Sequence, residues 1–312
     1  MGIKCHSNNT EFFLLGFSDF YPIYQACILA FFVISYIFST FGNGLIIVVV
    51  TLAPLLDTPM YFFLRNLSFL ELCTTNVIVP KVLQNSLSSQ KSISTLDCAA
   101  QMFVFFTFAV SECVFLMVMA FDRYVAICCP LRYTSIITRK LCYQLTAGSW
   151  MVGFLVSLGQ TSFIFSLPYC KSNHIAHFFC DIPPLLTLAH ADTFNNKLSI
   201  FIACICGAAL PLVVILCSYI NILCSILLIH CVEGRHKALS TCISHLLSVV
   251  LYYGTAMFMY LRLGSSGPGE NDRMIALFYC IIIPTVNPLI YSLRNKDMKT
   301  ALRIHFSSKV HW

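Results

Sequence analysis

Charge is scarce in this chain, and the few charged groups in apolar surroundings mark where chemistry is to be sought. Glu71 and Glu112 are carboxylates embedded in long apolar stretches, and Asp122 and Arg123 stand side by side in MAFDRYVAIC at 119–128. Two carboxylates in an apolar medium cannot both ionise readily, so one holds a proton or the two share a cation. An adjacent acid and guanidinium at ~4 Å and an effective dielectric near 20 attract by on the order of 4 kcal/mol before desolvation, which makes the pair tolerable only near water. His174, His177 and Cys170, with Asp181 and His190 nearby, have spacings that could ligate a metal. No complete four-ligand pattern is present, and a polar, hydrogen-bonded loop is the plainer reading.

These groups need elements to hold them, and composition says which. The chain has 312 residues, 58% hydrophobic and only 10% charged, where a soluble domain carries about 25% charged residues. Its mean hydropathy is +0.80. A helix needs roughly 20 apolar residues to cross a bilayer, so spans can be read as gaps between charges. Asp19 to Asp57 encloses 37 residues, Lys140 to Lys171 encloses 30, and Lys197 to Glu233 encloses 35. Lys237 to Arg262 encloses 24, and Arg273 to Arg294 encloses 20. Arg65 to Lys81 and Asp97 to Asp122 complete a set of seven, provided that Glu71 and Glu112 lie within the membrane. With the N-terminus outside, the inner face receives 12 of the 19 basic residues and 4 of the 13 acidic ones, a surplus of eight positive charges. The positive-inside rule favours that orientation. The first residues lack a signal-peptide pattern, so the first span is expected to direct insertion itself.

The expected class is therefore an all-α membrane protein, a seven-transmembrane helix bundle with its N-terminus outside and its C-terminus inside. It divides into an extracellular segment at 1–22, the bundle at 23–293 and a cytoplasmic tail at 294–312 carrying a short amphipathic helix. Asn8, in Asn8-Asn9-Thr10, is a glycosylation acceptor on the outer side. Most of the 17 cysteines fall within spans, where Cys behaves as a small apolar residue. Cys98, Cys170 and Cys180 face the oxidising side, and the expected pairing, Cys98 with Cys180, would fold the long loop from about Pro168 to Lys197 over the bundle.

At 1.5 Å per residue, Glu71 lies roughly 18 Å above the inner end of the second span, and Glu112 roughly 15 Å above Asp122 in the antiparallel third. The two therefore share a depth. A sodium or proton site between them, with Asn43 and Asn287 nearby, is one expectation; a neutral hydrogen-bonded pair is the other.

Gly42-Asn43, TPMYFFLRNLSFLELC (58–73), MAFDRYVAICCPLRY (119–133), HFFCD (177–181), Ser218-Tyr219, KALSTCISHL (237–246) and PTVNPLIYSLRN (284–295) follow one another along almost the whole chain. In order and spacing they resemble the olfactory receptor family of rhodopsin-like G-protein-coupled receptors. The resemblance implies that Asp122, Arg123 and Tyr124 form a switch whose arginine is released towards a G protein. It also implies that Asn287, Pro288 and Tyr291 take part in the change of packing, with Tyr219 facing the same inner cavity. Pro288 itself removes a backbone donor, so a kink is expected near Asn287.

Ligand contacts carried over by position are Phe105, Phe106, Ala109 and Val110 on the third span and Ala203, Cys204 and Gly207 on the fifth. The sixth supplies Tyr253, Ala256, Met257 and Tyr260, and the seventh Leu277 and Cys280. Phe105 stands where receptors for amines place a carboxylate, so no cationic anchor is expected. Such a cup suits a small, neutral, lipophilic molecule bound mainly by burial, at about 25 cal/mol per Å². The expected partners are a volatile ligand, a stimulatory olfactory G protein acting through cAMP, and plasma-membrane lipid. No cofactor is expected beyond sodium at the carboxylate pair.

The chain departs from the family pattern in four places. Glu71 replaces the usual aspartate, Asp57 a histidine, and Tyr252 a phenylalanine. His190 stands where a second loop disulfide would take its cysteine, which leaves Cys170 without that partner. Other classes fit less well. A transporter would show repeat symmetry, a retinal protein needs a lysine in the seventh span, and an intramembrane enzyme needs a nucleophile with its base. A rhodopsin-like receptor for a lipid-like ligand is the nearest alternative, and its tryptophan-proline signature in the sixth span is absent.

Overall fold

The structure, a computed structural model, describes residues 11–88, 91–169, 172–228, 232–261, 270–294 and 296–307, with side chains outside the description at 232–238, 240–241, 259–261, 270–271, 292–294, 296 and 305–307. Helices dominate because a backbone in hydrocarbon must satisfy every N–H and C=O internally. They are α1 (Pro22–Leu52), α2 (Pro59–Leu87), α3 (Thr95–Cys128), α4 (Tyr133–Ile136), α5 (Arg139–Phe165), α6 (Ile182–Leu188) and α7 (Phe194–Cys204). There follow α8 (Leu210–Leu227), α9 (Val232–Leu261), α10 (Glu270–Leu277), α11 (Ile283–Arg294) and α12 (Lys296–Ser307). Two π-helical turns, Ile205–Ala209 and Phe278–Ile282, join α7 to α8 and α10 to α11.

Among the described residues, six helical segments are long and apolar enough to cross a membrane: Pro22–Leu52, Pro59–Leu87, Thr95–Cys128, Arg139–Phe165, Phe194–Leu227 and Asp272–Tyr291. Cys242–Phe258, within α9, is a shorter apolar stretch. Local sequence sets the starts. Proline occupies the first turn of α1 and α2, where its missing N–H costs nothing. The Ser94 hydroxyl accepts from the Asp97 N–H at 3.0 Å to cap α3, and Thr138 does the same for α5 through Leu141 at 3.2 Å.

The bundle wears its apolar residues outward as well as inward. Phe38, Phe41, Leu155, Leu216 and Val250 are exposed, as suits a surface solvated by lipid. α3 runs through the middle and packs on α2, α5, α8 and α9. Its approach to α5 is close: a Cβ on Gly153 would overlap the Ser111 hydroxyl and come within 2.5 Å of the Thr107 carbonyl oxygen. Small residues permit such contacts where helices meet in lipid.

One feature corrects the all-α expectation. β1 (Glu11–Leu14), β2 (Ser92–Ser94) and β3 (His174–Ile175) form a three-stranded sheet in the order β2-β1-β3. β1 is antiparallel to β2, with Phe12 opposite Ile93, and parallel to β3, with Phe13 opposite His174. Strands of two to four residues carry too few alternations to show a period, and their partners lie far away in sequence. Phe12 and Leu14 are buried beneath the sheet. The Cys98–Cys180 disulfide pins the loop over this end of the bundle. Gln101 supports it, its Oε1 accepting the Cys180 N–H at 3.0 Å and its Nε2 donating to the Val77 carbonyl at 3.1 Å. This is the disulfide end; Arg123 marks the other.

Candidate functional site

The polar centre is assembled around Pro288. Proline has no N–H, so the carbonyl of Pro284, four residues earlier in α11, lacks its helical partner. The Asn43 Nδ2 donates to it at 3.0 Å and also to the Ser39 hydroxyl at 3.3 Å. Gly42 makes room, since a Cβ there would meet the Pro288 ring at 2.9 Å. The Gly42-Asn43 pair on α1 is thus a fitted partner for the proline on α11. Pro288 lies inside α11, and the departure from α geometry falls earlier, at the π turn Phe278–Ile282.

Asn287 links three helices. Its Nδ2 donates to the Glu71 carboxylate on α2, and its Oδ1 accepts the Ser248 hydroxyl of α9 at 2.8 Å. Glu112, on α3, is near enough to interact electrostatically with Glu71, and its Oε1 has no hydrogen-bond partner among the described residues. Asn43, Glu71, Glu112 and Asn287 are all buried, between 0% and 4% exposed. Neither carboxylate has a basic partner among the described residues.

At the Arg123 end, Asp122 holds two donors. Arg123 Nη2 lies 2.9 Å from Oδ2, and the Tyr133 hydroxyl donates to Oδ1 at 2.7 Å. Asp122 is almost fully buried, while the Arg123 side chain keeps 13% exposure, a route to water. Burial, then the Asp122 charge, holds the Tyr133 phenol above its ordinary range, so it remains a neutral donor. Tyr124 is half-buried. Tyr219 on α8 meets His245 Nδ1 at 2.7 Å, and His245 Nε2 lies 3.1 Å from the Leu116 carbonyl of α3. A carbonyl can only accept, so Nε2 carries the hydrogen, and in the neutral ring Nδ1 accepts from the Tyr219 hydroxyl. His245 thereby ties α3, α8 and α9. Tyr291, on α11, is buried.

Towards the disulfide end, Phe105 is fully buried in a ring cluster, with centroids 5.4 Å from Phe106, 5.0 Å from Phe179 and 5.8 Å from Tyr279. The Tyr279 hydroxyl donates to the buried Asp181 at 3.1 Å. Tyr252 and Tyr253 give their hydroxyls to α3 carbonyls, at Ala109 (2.7 Å) and Cys113 (2.9 Å). Gly207 and Cys280 fall in the two π turns, a local form that often marks function. A Cβ on Gly207 would touch Val110 at 3.4 Å. Leu277 is buried, and Ala203, Cys204, Ala256 and Met257 are half-buried; the Tyr260 side chain lies outside the described residues.

Sequence reasoning passed over Phe179, Asp181 and Tyr279 as cup neighbours, and His245 and Ser248 as ties. A polar side chain inside a span would have flagged the last two. No group of three or more His, Cys, Asp or Glu side chains able to hold a metal ion occurs among the described residues. His174 stacks on Phe13 and His177 on Phe178, with centroids 5.3 and 4.6 Å apart. Burial pushes the His177 imidazole down to about 3. Asn8 and Cys170 lie outside the described residues.

Residues 32–309 match the olfactory receptor family. The chain is similar to three Homo sapiens proteins: Olfactory receptor 10C1 (47% identity, covering 94% of each chain), Olfactory receptor 5G3 (47%, covering 94% of this chain and 93% of that one) and Olfactory receptor 10A7 (44%, covering 98% and 96%). A match that spans the apolar helices, the Asp122–Arg123 pair and the Asn43–Pro284 contact alike places this multi-pass membrane protein in the olfactory receptor family, which is not a family of enzymes.

Proposed function

We propose that the protein is an odorant receptor of the plasma membrane, with seven spans, its disulfide end outside and its Arg123 end in the cytosol. α9 supplies the remaining crossing. Its apolar stretch Cys242–Phe258 is short, but it carries Tyr252 and Tyr253, which bind α3 carbonyls from within the bundle. A small, neutral, lipophilic molecule enters the cup bounded by Phe105, Phe106, Ala109, Val110, Ala203, Cys204, Gly207, Tyr253, Ala256, Met257, Tyr260, Leu277 and Cys280. The hydroxyls of Tyr252 and Tyr253 are already donated to backbone, which favours a ligand with few polar groups.

The observation that carries the switch is the geometry at Asp122. One buried carboxylate holds both Arg123 and Tyr133, and the neighbouring Tyr219–His245–Leu116 chain ties α9 to α3. Moving α9 away from α3 breaks that chain and opens space beside Arg123, which leaves Asp122 for a stimulatory G protein, and cAMP rises. Glu71 and Glu112, with Asn43 and Asn287, form a sodium or proton site whose occupancy biases the same movement. The Glu112 oxygen left without a hydrogen-bond partner among the described residues supports it.

The test expresses the chain with a stimulatory olfactory G protein and screens a panel of volatiles for cAMP. At least one neutral volatile is expected to raise cAMP, and Arg123→Ala to abolish the response at equal surface abundance. A response that survives Arg123→Ala overturns the switch.

A further inference from the structure

The disulfide end holds a second cavity, apart from the cup, between α1, α2 and the turn that follows β1. Its volume is about 240 Å³, roughly eight times the ~30 Å³ that a water occupies in the liquid, so a single bridging water does not fill it. Leu29 and Phe32 of α1, Val82 of α2 and Phe178 of the loop form an apolar wall. Its polar lining is Ser18, Gln25, Asn85, Ser86 and Lys91; the Gln25 amide already donates to the Phe20 carbonyl, the Ser86 hydroxyl to the Val82 carbonyl, and Ser18 accepts from Lys91.

Asn85 is 7% exposed, lines the cavity, and has no hydrogen-bond partner for either Oδ1 or Nδ2 among the described residues. A buried amide with both ends unsatisfied is costly, and its presence asks for a partner. Lys91 brings an ammonium to the same lining, where its Nζ donates to the Ser18 hydroxyl at 2.7 Å. It is the one charged side chain among the described lining residues. The nearby carboxylate, Asp19, is already matched: Arg273 Nη1 lies 2.6 Å from its Oδ1 and 2.8 Å from the carbonyl of lining residue Gly16. Gly16 has φ +57°, a left-handed conformation that turns the chain over the cavity at little cost to glycine.

We propose that this cavity binds a medium-chain carboxylate, its head taken by the Lys91 ammonium and the Asn85 amide and its chain laid against Leu29, Phe32, Val82 and Phe178. Cation, amide donor and apolar wall are the three complements of such an amphiphile, and a neutral odorant needs only the last. Two rings separate the site from the cup: Phe178 is 5.1 Å from Phe179 between ring centroids, and Phe179 is 5.0 Å from Phe105.

The experiment measures binding to the purified full chain in nanodiscs, by displacement of a fluorescent fatty-acid analogue, independently of signalling. Octanoate is expected to displace it saturably, octanol and octylamine at least tenfold less well. Lys91→Gln and Asn85→Leu should each weaken octanoate at least tenfold, while Phe105→Ala in the cup leaves it unchanged. Asn85→Leu removes only unpartnered polar atoms at similar volume, so its apparent Tm without ligand should equal or exceed that of the unsubstituted chain. Octanoate added in water and oleate preloaded in the bilayer separate a soluble medium-chain acid from a membrane-borne long-chain one: displacement by octanoate supports the proposal, and displacement by oleate alone overturns it. Displacement by neither, equal affinity in Lys91→Gln and Asn85→Leu, or loss of binding in Phe105→Ala instead overturns the proposal.

Discussion

Replacing Asn43 by alanine tests the most specific contact in the bundle. The substitution removes the 3.0 Å hydrogen bond from Asn43 Nδ2 to the Pro284 carbonyl and leaves that buried carbonyl without a helical N–H to bind. An orphaned buried acceptor costs about 1–3 kcal/mol. The 3.3 Å contact to Ser39 is long and adds little, and Asn43 Oδ1 has no partner to lose among the described residues. Pro288→Ala restores an N–H at position 288, which bonds the same carbonyl through the helix ladder. In that background Asn43→Ala should therefore cost about 1 kcal/mol less or better, a coupling a double-mutant cycle reads directly. Apparent Tm of the purified receptor in detergent measures it, at roughly 2–4 °C per kcal/mol for a chain somewhat shorter than this one. If the two substitutions are additive, the proline carbonyl is not what holds Asn43, and the explanation of the Gly42-Asn43 pair fails.

Three further outcomes follow from the geometry. Gly153→Ala should lower stability by about 1–3 kcal/mol, because the added methyl meets the Thr107 backbone as well as the Ser111 side chain; an unchanged apparent Tm contradicts the tight α3–α5 contact. His177 is buried with its pKa pushed down to about 3, so between there and the unfolded value near 6.5 the unfolded chain binds a proton that the folded chain refuses. Stability from this group is thus full above about 6.5 and falls with pH, by about 2 kcal/mol at pH 5, and His177→Gln should flatten the Tm profile between pH 7 and 5. A profile as steep as before would place the acid sensitivity elsewhere. Glu112→Gln should abolish the sodium sensitivity of signalling, and if both signalling and sodium sensitivity persist unchanged the carboxylate pair is no ion site.

What could be read from the sequence depended on the range of the physics. Charge exclusion from hydrocarbon is local along the chain, so the spacing from Asp19 to Asp57 and its like marked the helices, and the shared depth of Glu71 and Glu112 followed from helical rise alone. Cys98 and Cys180 were legible because few cysteines face the oxidising side. The β sheet was not, since Glu11–Leu14 finds its partners 79 and more residues away in strands too short to show alternation. Neither π turn has a residue signature: nothing in Ile205–Ala209 or Phe278–Ile282 distinguishes it from ordinary apolar helix. Pro288 announced a lost donor, but not that Asn43 would supply one. His245 stood in a quoted motif, yet its role needs three helices in place before Tyr219 and Leu116 become neighbours. Nothing in the sequence separates Asn85 from other polar residues near a helix end; packing alone shows its amide buried and without a partner among the described residues.

Every functional assignment above requires the disulfide end and the Arg123 end to lie on opposite faces of the membrane, with the first outside. Epitope tags at the two termini, read by antibody on intact and then permeabilised cells, test this most directly. The N-terminal tag should be stained on intact cells and the C-terminal tag only after permeabilisation. An N-terminal tag hidden until permeabilisation, or both tags on one face, would contradict the seven-span receptor and remove the G protein from the reach of Arg123.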